Sequence, residues 1–290
     1  AAIEGGIGYF DTSPYYGLGL SERRLGLALA EQGGRPPTVS TKVGRLLRPG
    51  RDGGGREGAF VDCPPVTPVF DYSRDGALRS IEDSLQRLGR DRIEVALIHD
   101  VSPRAHGADL ERRFREACAG ALPALVELRE QGVVGAIGLG VSDAAICLRF
   151  ARESRLDVFL LACAYTLLDQ SPLEEFLPFC AAEGISVIAA APFVSGILAS
   201  GTAGTPTWFY ADAPADIVER VRRIEMVCAR HGVALPAAAL QMPAAHPAVA
   251  CVLPGFRAAA EVQANIAHFT QPIPPAFWAE LKAERLLDPG

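Results

Sequence analysis

The sequence predicts an α/β fold, a (β/α)8 barrel truncated at its N-terminus so that about seven parallel strands remain. Three observations predict it. Apolar runs near residues 7–11, 38–42, 93–98, 134–140, 157–161, 185–190 and 249–253 alternate with amphipathic helical segments, the pattern of parallel βα units. The length, 290 residues at 49% hydrophobic composition, is enough for one large barrel core. No short repeat or linker divides the chain, so residues 1–290 read as a single barrel domain with its first βα unit missing.

The opening Ala1-Ala-Ile-Glu-Gly-Gly6 reads as the tail of a helix running into a strand. A barrel lacking its first strand would leave the strands at 7–11 and 249–253 with unpaired edges, an aggregation hazard. The chain by itself is therefore expected to be poorly soluble and weakly active. Ile7 to Phe10 is the first apolar run, with Asp11 at its end and Pro14 and Gly17 turning the chain. Tyr16 lies five residues past Asp11, within reach of the strand end. Ser21 has the character of a helix N-cap, with Glu22 in the first turn. Lys42 ends the second run and His99 the third. Between them a helix is expected over Asp75–Leu88, with Leu78, Ile81, Leu85 and Leu88 on its apolar face and Gly89 as its stop.

Two stretches break the rhythm. Residues 44–73, rich in Gly, Pro and Arg and containing Arg51-Asp-Gly-Gly-Gly-Arg56, read as a long catalytic-face loop. Residues 194–214 carry Trp208, Phe209 and Tyr210, which would either wall a substrate pocket or cover barrel edges.

Composition excludes several classes of function. The charge of −6, with 28 basic against 34 acidic residues and no Lys/Arg run, gives no footprint for nucleic acid. No apolar run approaches the roughly 20 residues of a membrane span. The seven cysteines (Cys63, Cys118, Cys147, Cys163, Cys180, Cys228 and Cys251) show no ligand spacing and read as reduced core thiols of a cytoplasmic protein. His106, His231, His246 and His268 likewise lack ligand spacing and read as structural or exposed. No metal is expected.

In a βα barrel the C-terminal strand ends converge on one mouth, so Asp11, Tyr16, Lys42 and His99 would meet there. A free phenol titrates at about 10. A nearby Lys42 ammonium favours the phenolate, and Asp11 would hold that ammonium in place and charged. A neutral His99 would donate a hydrogen bond to a substrate oxygen. The set suits reversible proton transfer at an alcohol or carbonyl oxygen, coupled to a hydride carrier.

Asp11-Thr-Ser-Pro-Tyr-Tyr-Gly17, Thr41-Lys-Val-Gly44 and Leu97-Ile-His-Asp100 resemble the active-site motifs of the aldo-keto reductase superfamily. The similarity continues through Ile137-Gly-Leu-Gly-Val-Ser142 to Leu253-Pro-Gly-Phe-Arg257 and Asn265, covering essentially the whole chain. Lys42-Val-Gly-Arg-Leu-Leu-Arg-Pro49, Val69-Phe-Asp-Tyr-Ser73, Tyr165-Thr-Leu-Leu-Asp-Gln170 and Ser195-Gly-Ile-Leu-Ala199 resemble its L-fucose dehydrogenase and D-threo-aldose 1-dehydrogenase group. L-galactose dehydrogenase and pyridoxal 4-dehydrogenase are also similar.

The resemblance implies a nicotinamide cofactor and a tetrad in which Tyr16 is the general acid/base, Lys42 and Asp11 tune it, and His99 orients the substrate. It assigns Ser142, Ser195, Gly196, Leu198, Gly255, Arg257, Glu261 and Asn265 to the cofactor, and Trp208 and Tyr210 to the substrate. The implied activity is oxidation of an aldose such as L-fucose, L-galactose or a D-threo-aldose at C1 to the lactone. Alternatives are an NADPH-dependent carbonyl reductase of the same fold and a non-catalytic cofactor-binding regulatory subunit. The partner is a small sugar or carbonyl compound, with the protein a monomer or weak homo-oligomer.

The chain departs from the family pattern in places. Asp143 stands where relatives commonly have Asn, and Ala189-Ala-Ala191 where many have an aromatic that stacks on the nicotinamide. Gly255 and Glu261 occupy positions where relatives that prefer NADPH place basic residues. Glu261 would repel a 2′-phosphate, so NAD is expected over NADP, although Arg257 stands nearby.

Overall fold

The computed structural model describes residues 1–33, 36–50 and 55–289; Arg51–Gly54 of the Gly/Arg-rich stretch lie outside the described residues. In chain order the strands are β1 (Tyr9–Asp11), β2 (Thr38–Val43), β3 (Arg45–Pro49), β4 (Gly55–Glu57), β5 (Phe60–Cys63), β6 (Val66–Phe70), β7 (Ile93–His99), β8 (Val134–Val141), β9 (Val158–Ala162), β10 (Ser186–Ala190), β11 (Thr207–Trp208), β12 (Ala211–Asp212) and β13 (Val249–Leu253). Seven of them form the principal parallel sheet, in the order β1-β2-β7-β8-β9-β10-β13. These are the seven apolar runs of the sequence. The chain divides into two compact units, Gly8–Val141 with Ala145–Phe159, and Ala1–Ile7 with Ser142–Ala144 and Leu160–Gly290.

The first unit is built on β1, β2, β7 and β8, paired in parallel register (Asp11 opposite Ser40, Lys42 opposite Leu97, His99 opposite Gly140). The two central strands β2 and β7 are buried almost end to end, as continuous apolar runs in parallel sheets require. Helix α1 (Leu20–Ala30) starts two residues earlier than an N-cap at Ser21 would place it. Its N-cap is Gly19, with no side-chain cap. Ser21 Oγ instead accepts a hydrogen bond from Thr12 Oγ1 at 2.8 Å. Glu22 is fully buried, accepting from Thr41 Oγ1 and Arg87 Nε at 2.6 Å each. Thr12 and Arg87 thus decided what Ser21 and Glu22 do, and neither is a sequence neighbour.

Helix α2 (Arg74–Leu88) runs as expected, capped by Ser73, whose hydroxyl accepts from the Gly76 amide, and closed by Gly89. Its buried face is rotated from the one expected. Ala77, Ser80, Ile81, Ser84 and Leu88 are buried, while Leu78 and Leu85 sit at its border. Small residues let the helix approach the sheet closely, so the larger leucines flank the contact.

The described residues of 44–73 carry two antiparallel strand pairs. β3 and β6 pair as an antiparallel ribbon, from Arg45 opposite Phe70 to Pro49 opposite Val66, and β4 pairs with β5 beyond it. Arg45-Leu-Leu-Arg48 and Val66-Thr-Pro-Val-Phe70 carry enough β-forming side chains for a two-stranded ribbon. Pro68 is tolerated because each strand of such a ribbon is an edge.

The second unit holds β10 and β13, paired in parallel from Val187 opposite Val249 to Ala190 opposite Leu253. Residues 194–214 are structured as well: a 3-10 turn at Val194–Gly196, a short helix at Ile197–Ser200 and a hairpin of β11 with β12. None of the seven cysteines is in a disulfide. No helix among the described residues is long and apolar enough to cross a membrane.

Candidate active site

Four polar side chains meet in the first unit, each delivered by the end of a parallel strand or the turn after it. Lys42, 1% exposed, lies on β2 with its ammonium 2.5 Å from Asp11 Oδ2 at the end of β1. Lys42 Nζ also donates to the Thr12 carbonyl at 2.8 Å, and Ser40 Oγ donates to Asp11 Oδ1 at 2.5 Å. Both oxygens of the carboxylate are therefore occupied, which fixes its rotamer. The same ammonium lies 4.6 Å from the centroid of the half-buried Tyr16 ring. Gly140, opposite His99 in β8, leaves room for this. A Cβ there would come within 3.3 Å of Lys42 Cε.

Burial is the largest influence on both Lys42 and Tyr16. On Lys42 it works to lower the pKa, yet Asp11 and Tyr16 together outweigh it and the ammonium is held above its ordinary value. On Tyr16 burial raises the pKa, the Lys42 charge and hydrogen bond pull it back, and Asp11 adds to the rise. The net shift is upward. The expected lowering of the phenol by Lys42 is present but is overtaken by desolvation, so the phenol is protonated at neutral pH.

His99 ends β7, buried, with its ring edge-to-face on Tyr16 at 5.8 Å between centroids. Its backbone is pinned by Tyr72, whose hydroxyl donates to the His99 carbonyl at 2.7 Å. Tyr72 fits because Gly44 (φ +104) has no Cβ, which would otherwise lie 2.3 Å from the Tyr72 ring. Burial first, then Lys42 and Arg45, push the His99 pKa down to about 3 against the pull of Asp100. The imidazole is neutral at pH 7, the form expected of a hydrogen-bond donor to a substrate oxygen.

Three neighbours of this cluster escaped sequence reasoning. Ser13 Oγ and Arg45 both stand 3.3 Å from His99 Nδ1. Phe60, on β5, brings its ring to 5.5 Å from Tyr15 and 5.9 Å from Tyr16. Arg45 had a signal, since it lies three residues beyond Lys42 inside the same motif. Phe60 had none, because only the pairing of β4 with β5 carries it back over the phenol.

The residues assigned to the cofactor all fall in the second unit. Ser195, Gly196 and Leu198 follow β10, while Gly255, Arg257, Glu261 and Asn265 follow β13. These two strand ends are adjacent, with the Ala191 amide donating to the Leu253 carbonyl at 2.9 Å. Ser195 holds a left-handed conformation (φ 61). Its carbonyl accepts from Thr207 Oγ1 at 2.6 Å and its hydroxyl from the Tyr210 amide at 3.1 Å. This ties the β11–β12 hairpin to the candidate cofactor turn. Trp208 is half-buried, edge-to-face on Phe209, whereas Tyr210 is 79% exposed. Leu198 is buried and packs the turn, with no exposed face to offer a ligand.

Gly255 has open space around its α-carbon. Glu261 accepts the Arg257 amide at 2.7 Å, and its carboxylate meets the Arg257 guanidinium at 3.1 Å. That amide is the first cause of a pKa below the ordinary carboxylate value. Asn265 follows one turn later on the same helix, Ala259–Thr270, and Ser142 lies just past β8. A serine hydroxyl, an unencumbered glycine backbone and an exposed guanidinium at two adjacent strand ends form a donor set that fits the phosphates of a dinucleotide.

The aldo/keto reductase family profile matches residues 1–285. Among curated relatives, the chain is 40% identical over 294 residues to D-threo-aldose 1-dehydrogenase of a Pseudomonas species, covering 99% of this chain and 86% of that one. It is 39% identical over 301 residues to pyridoxal 4-dehydrogenase of Microbacterium luteolum, with the same coverage. With L-galactose dehydrogenase of Arabidopsis thaliana it shares 31% over 271 residues, 92% of this chain and 75% of the relative. Among solved structures, the holo form of an aldo-keto reductase from Bacillus halodurans superposes with a TM-score of 0.72 at 22% identity, covering 100% of this chain and 85% of that one. The sheet of seven parallel strands with its helices is thus that of the aldo-keto reductase barrel, and the chain belongs to the aldo/keto reductase family of nicotinamide-dependent oxidoreductases.

Proposed function

We propose that the protein oxidises an aldose at C1 to the lactone, with Tyr16 as the general acid/base and NAD as the preferred cofactor. The observation that supports this most directly is the buried Asp11–Lys42 pair held under the Tyr16 ring with neutral His99 beside it. In this reading the His99 imidazole donates a hydrogen bond to the C1 oxygen and orients it towards Tyr16. The phenolate takes the C1 hydroxyl proton, and Lys42, kept charged by Asp11, stabilises the phenolate while it exists. A bound nicotinamide would supply the acceptor for the C1 hydride. Ser142, Ser195, Gly196, Gly255, Arg257 and Asn265 are assigned to holding the cofactor, and Trp208 and Tyr210 to the sugar. The likeness to D-threo-aldose 1-dehydrogenase favours an aldose as substrate, and Glu261 favours NAD.

Because burial leaves the phenol protonated at neutral pH, oxidation should accelerate as pH rises, and reduction of a carbonyl should slow. Initial rates on a panel that includes L-fucose, L-galactose and D-threo-aldoses, with NAD and NADP in parallel, test the assignment. Tyr16→Phe should cut turnover by about 100-fold or more and leave cofactor affinity nearly unchanged. Turnover of small carbonyl compounds with NADPH, and none of any aldose, would replace the dehydrogenase reading with the carbonyl reductase one. Cofactor binding without turnover of either class would favour a regulatory subunit.

A further inference from the structure

One buried cation beside the tetrad has no part in the chemistry above. Arg45 stands on β3 with its side chain one-tenth exposed. Its guanidinium lies between two rings, 4.1 Å from the centroid of Tyr15 and 4.5 Å from that of Phe70. One arm of the fork, Nη2, meets Asp100 Oδ2 at 2.8 Å. The other, Nη1, stands 3.3 Å from His99 Nδ1. A guanidinium has donors and no acceptor, so Nδ1 must be the accepting nitrogen of the ring. The single proton of the neutral imidazole is then on Nε2. Ser13 Oγ, also 3.3 Å from Nδ1, already accepts the Tyr15 amide and can turn its own proton to the ring. Among the described residues Nε2 meets Asp100 Oδ2 at 3.5 Å, a long contact that a substrate oxygen can displace.

We propose that Arg45 is a positioning residue that holds His99 as the neutral Nε2–H tautomer, one arm donating to Nδ1 and the other occupying Asp100. This rests on the reading of His99 as the donor to the substrate oxygen. A charge-assisted hydrogen bond is roughly twice as strong as a neutral one, enough to choose between two tautomers of similar energy.

Among the described residues, the charged and titratable groups facing the ring are Tyr16 from the turn after β1, Lys42 from β2, Arg45 from β3 and Asp100 from the residue after β7; the Ser13 hydroxyl stands at Nδ1, and β8 places Gly140 opposite His99. Asp100 draws a proton onto the ring, and Lys42 and Arg45 repel it. Removing Arg45 deletes one repulsion and frees the Asp100 carboxylate, so both consequences favour protonation.

The test is nitrogen NMR on the full chain labelled with 15N-histidine, the His99 signals being assigned by their loss in His99→Gln. The wild-type ring should show a pyridine-type Nδ1 and a pyrrole-type Nε2, with a titration midpoint below the ordinary histidine range. In Arg45→Met the Nδ1–H form should appear and the midpoint should rise by about one unit or more. Arg45→Lys, which restores a charged donor, should bring both back towards wild type. Wild-type shifts and midpoint in Arg45→Met would overturn the proposal. If Arg45→Met does not fold, Arg45→Gln carries the test: the midpoint must rise, and an unchanged one overturns it. None of these readouts needs turnover, so they stand apart from the role of His99 itself, which undiminished turnover in His99→Gln would remove.

Discussion

Two ion pairs of the same formal chemistry sit at candidate functional positions in this chain, and they behave differently. Asp11–Lys42 is 2.5 Å long with side chains 8% and 1% exposed. Arg257–Glu261 is 3.1 Å long with side chains 91% and 38% exposed. In the first pair neither charge has water to turn to. The carboxylate has Ser40 and Lys42 as partners, and the ammonium has Asp11, Thr12 and the face of Tyr16. In the second, the guanidinium can exchange the carboxylate for solvent or for a bound anion at little cost. A buried pair presets a geometry before any ligand arrives; an exposed pair leaves a choice open, which suits a role in discriminating between ligands.

The largest way to break that contrast is to remove the buried acid. Asp11→Asn leaves Lys42 in a site it cannot leave, with the Thr12 carbonyl and Tyr16 as its remaining charge-stabilising partners against burial. Breaking a buried pair from one side typically costs about 3–5 kcal/mol. Urea denaturation should show a loss of that order, and the Lys42 pKa should fall. A variant as stable as wild type would mean that water reaches the ammonium and that the two pairs are alike.

A smaller effect follows from His99. Its pKa is about 3 in the folded chain and about 6.5 when unfolded, so between those values the unfolded state binds more protons. Stability should therefore fall as pH drops from about 6.5 towards 3, on top of any loss from the carboxylates. Melting temperatures measured across that window should fall less in His99→Gln than in wild type. Parallel slopes for the two proteins would place His99 in contact with solvent.

The smallest effect on the fold should come from Glu261→Arg, which breaks the exposed pair. Its melting temperature should be unchanged, while the ratio of NAD to NADP affinity should narrow or reverse. Fluorescence titration with both cofactors checks this. Tighter NADP binding to the unmodified protein would overturn the assigned preference and make Arg257, not Glu261, the deciding charge.

The outline of both regions was legible in the amino-acid order because local patterns carry it. Seven apolar runs placed the seven strands within a residue or two, and the stop at Gly89 follows from a left-handed position that glycine adopts freely. Asp11, Lys42 and His99 could be picked out because parallel strands deliver their last residues to one end, a consequence of chain direction alone. Tertiary packing decided what depends on neighbours remote in sequence. The pairing of β3 with β6 and of β4 with β5 brought Arg45 to His99 and Phe60 to Tyr16. Close approach of α2 to the sheet selected its small residues for the buried face. Thr12 engaged Ser21 away from the N-cap, while Thr41 and Arg87 hold the buried Glu22 in the first turn, where the sequence places it. The net upward shift of the Tyr16 phenol belongs here too: the sequence named the cation that lowers it, but desolvation depends on everything packed around the ring, and it prevailed.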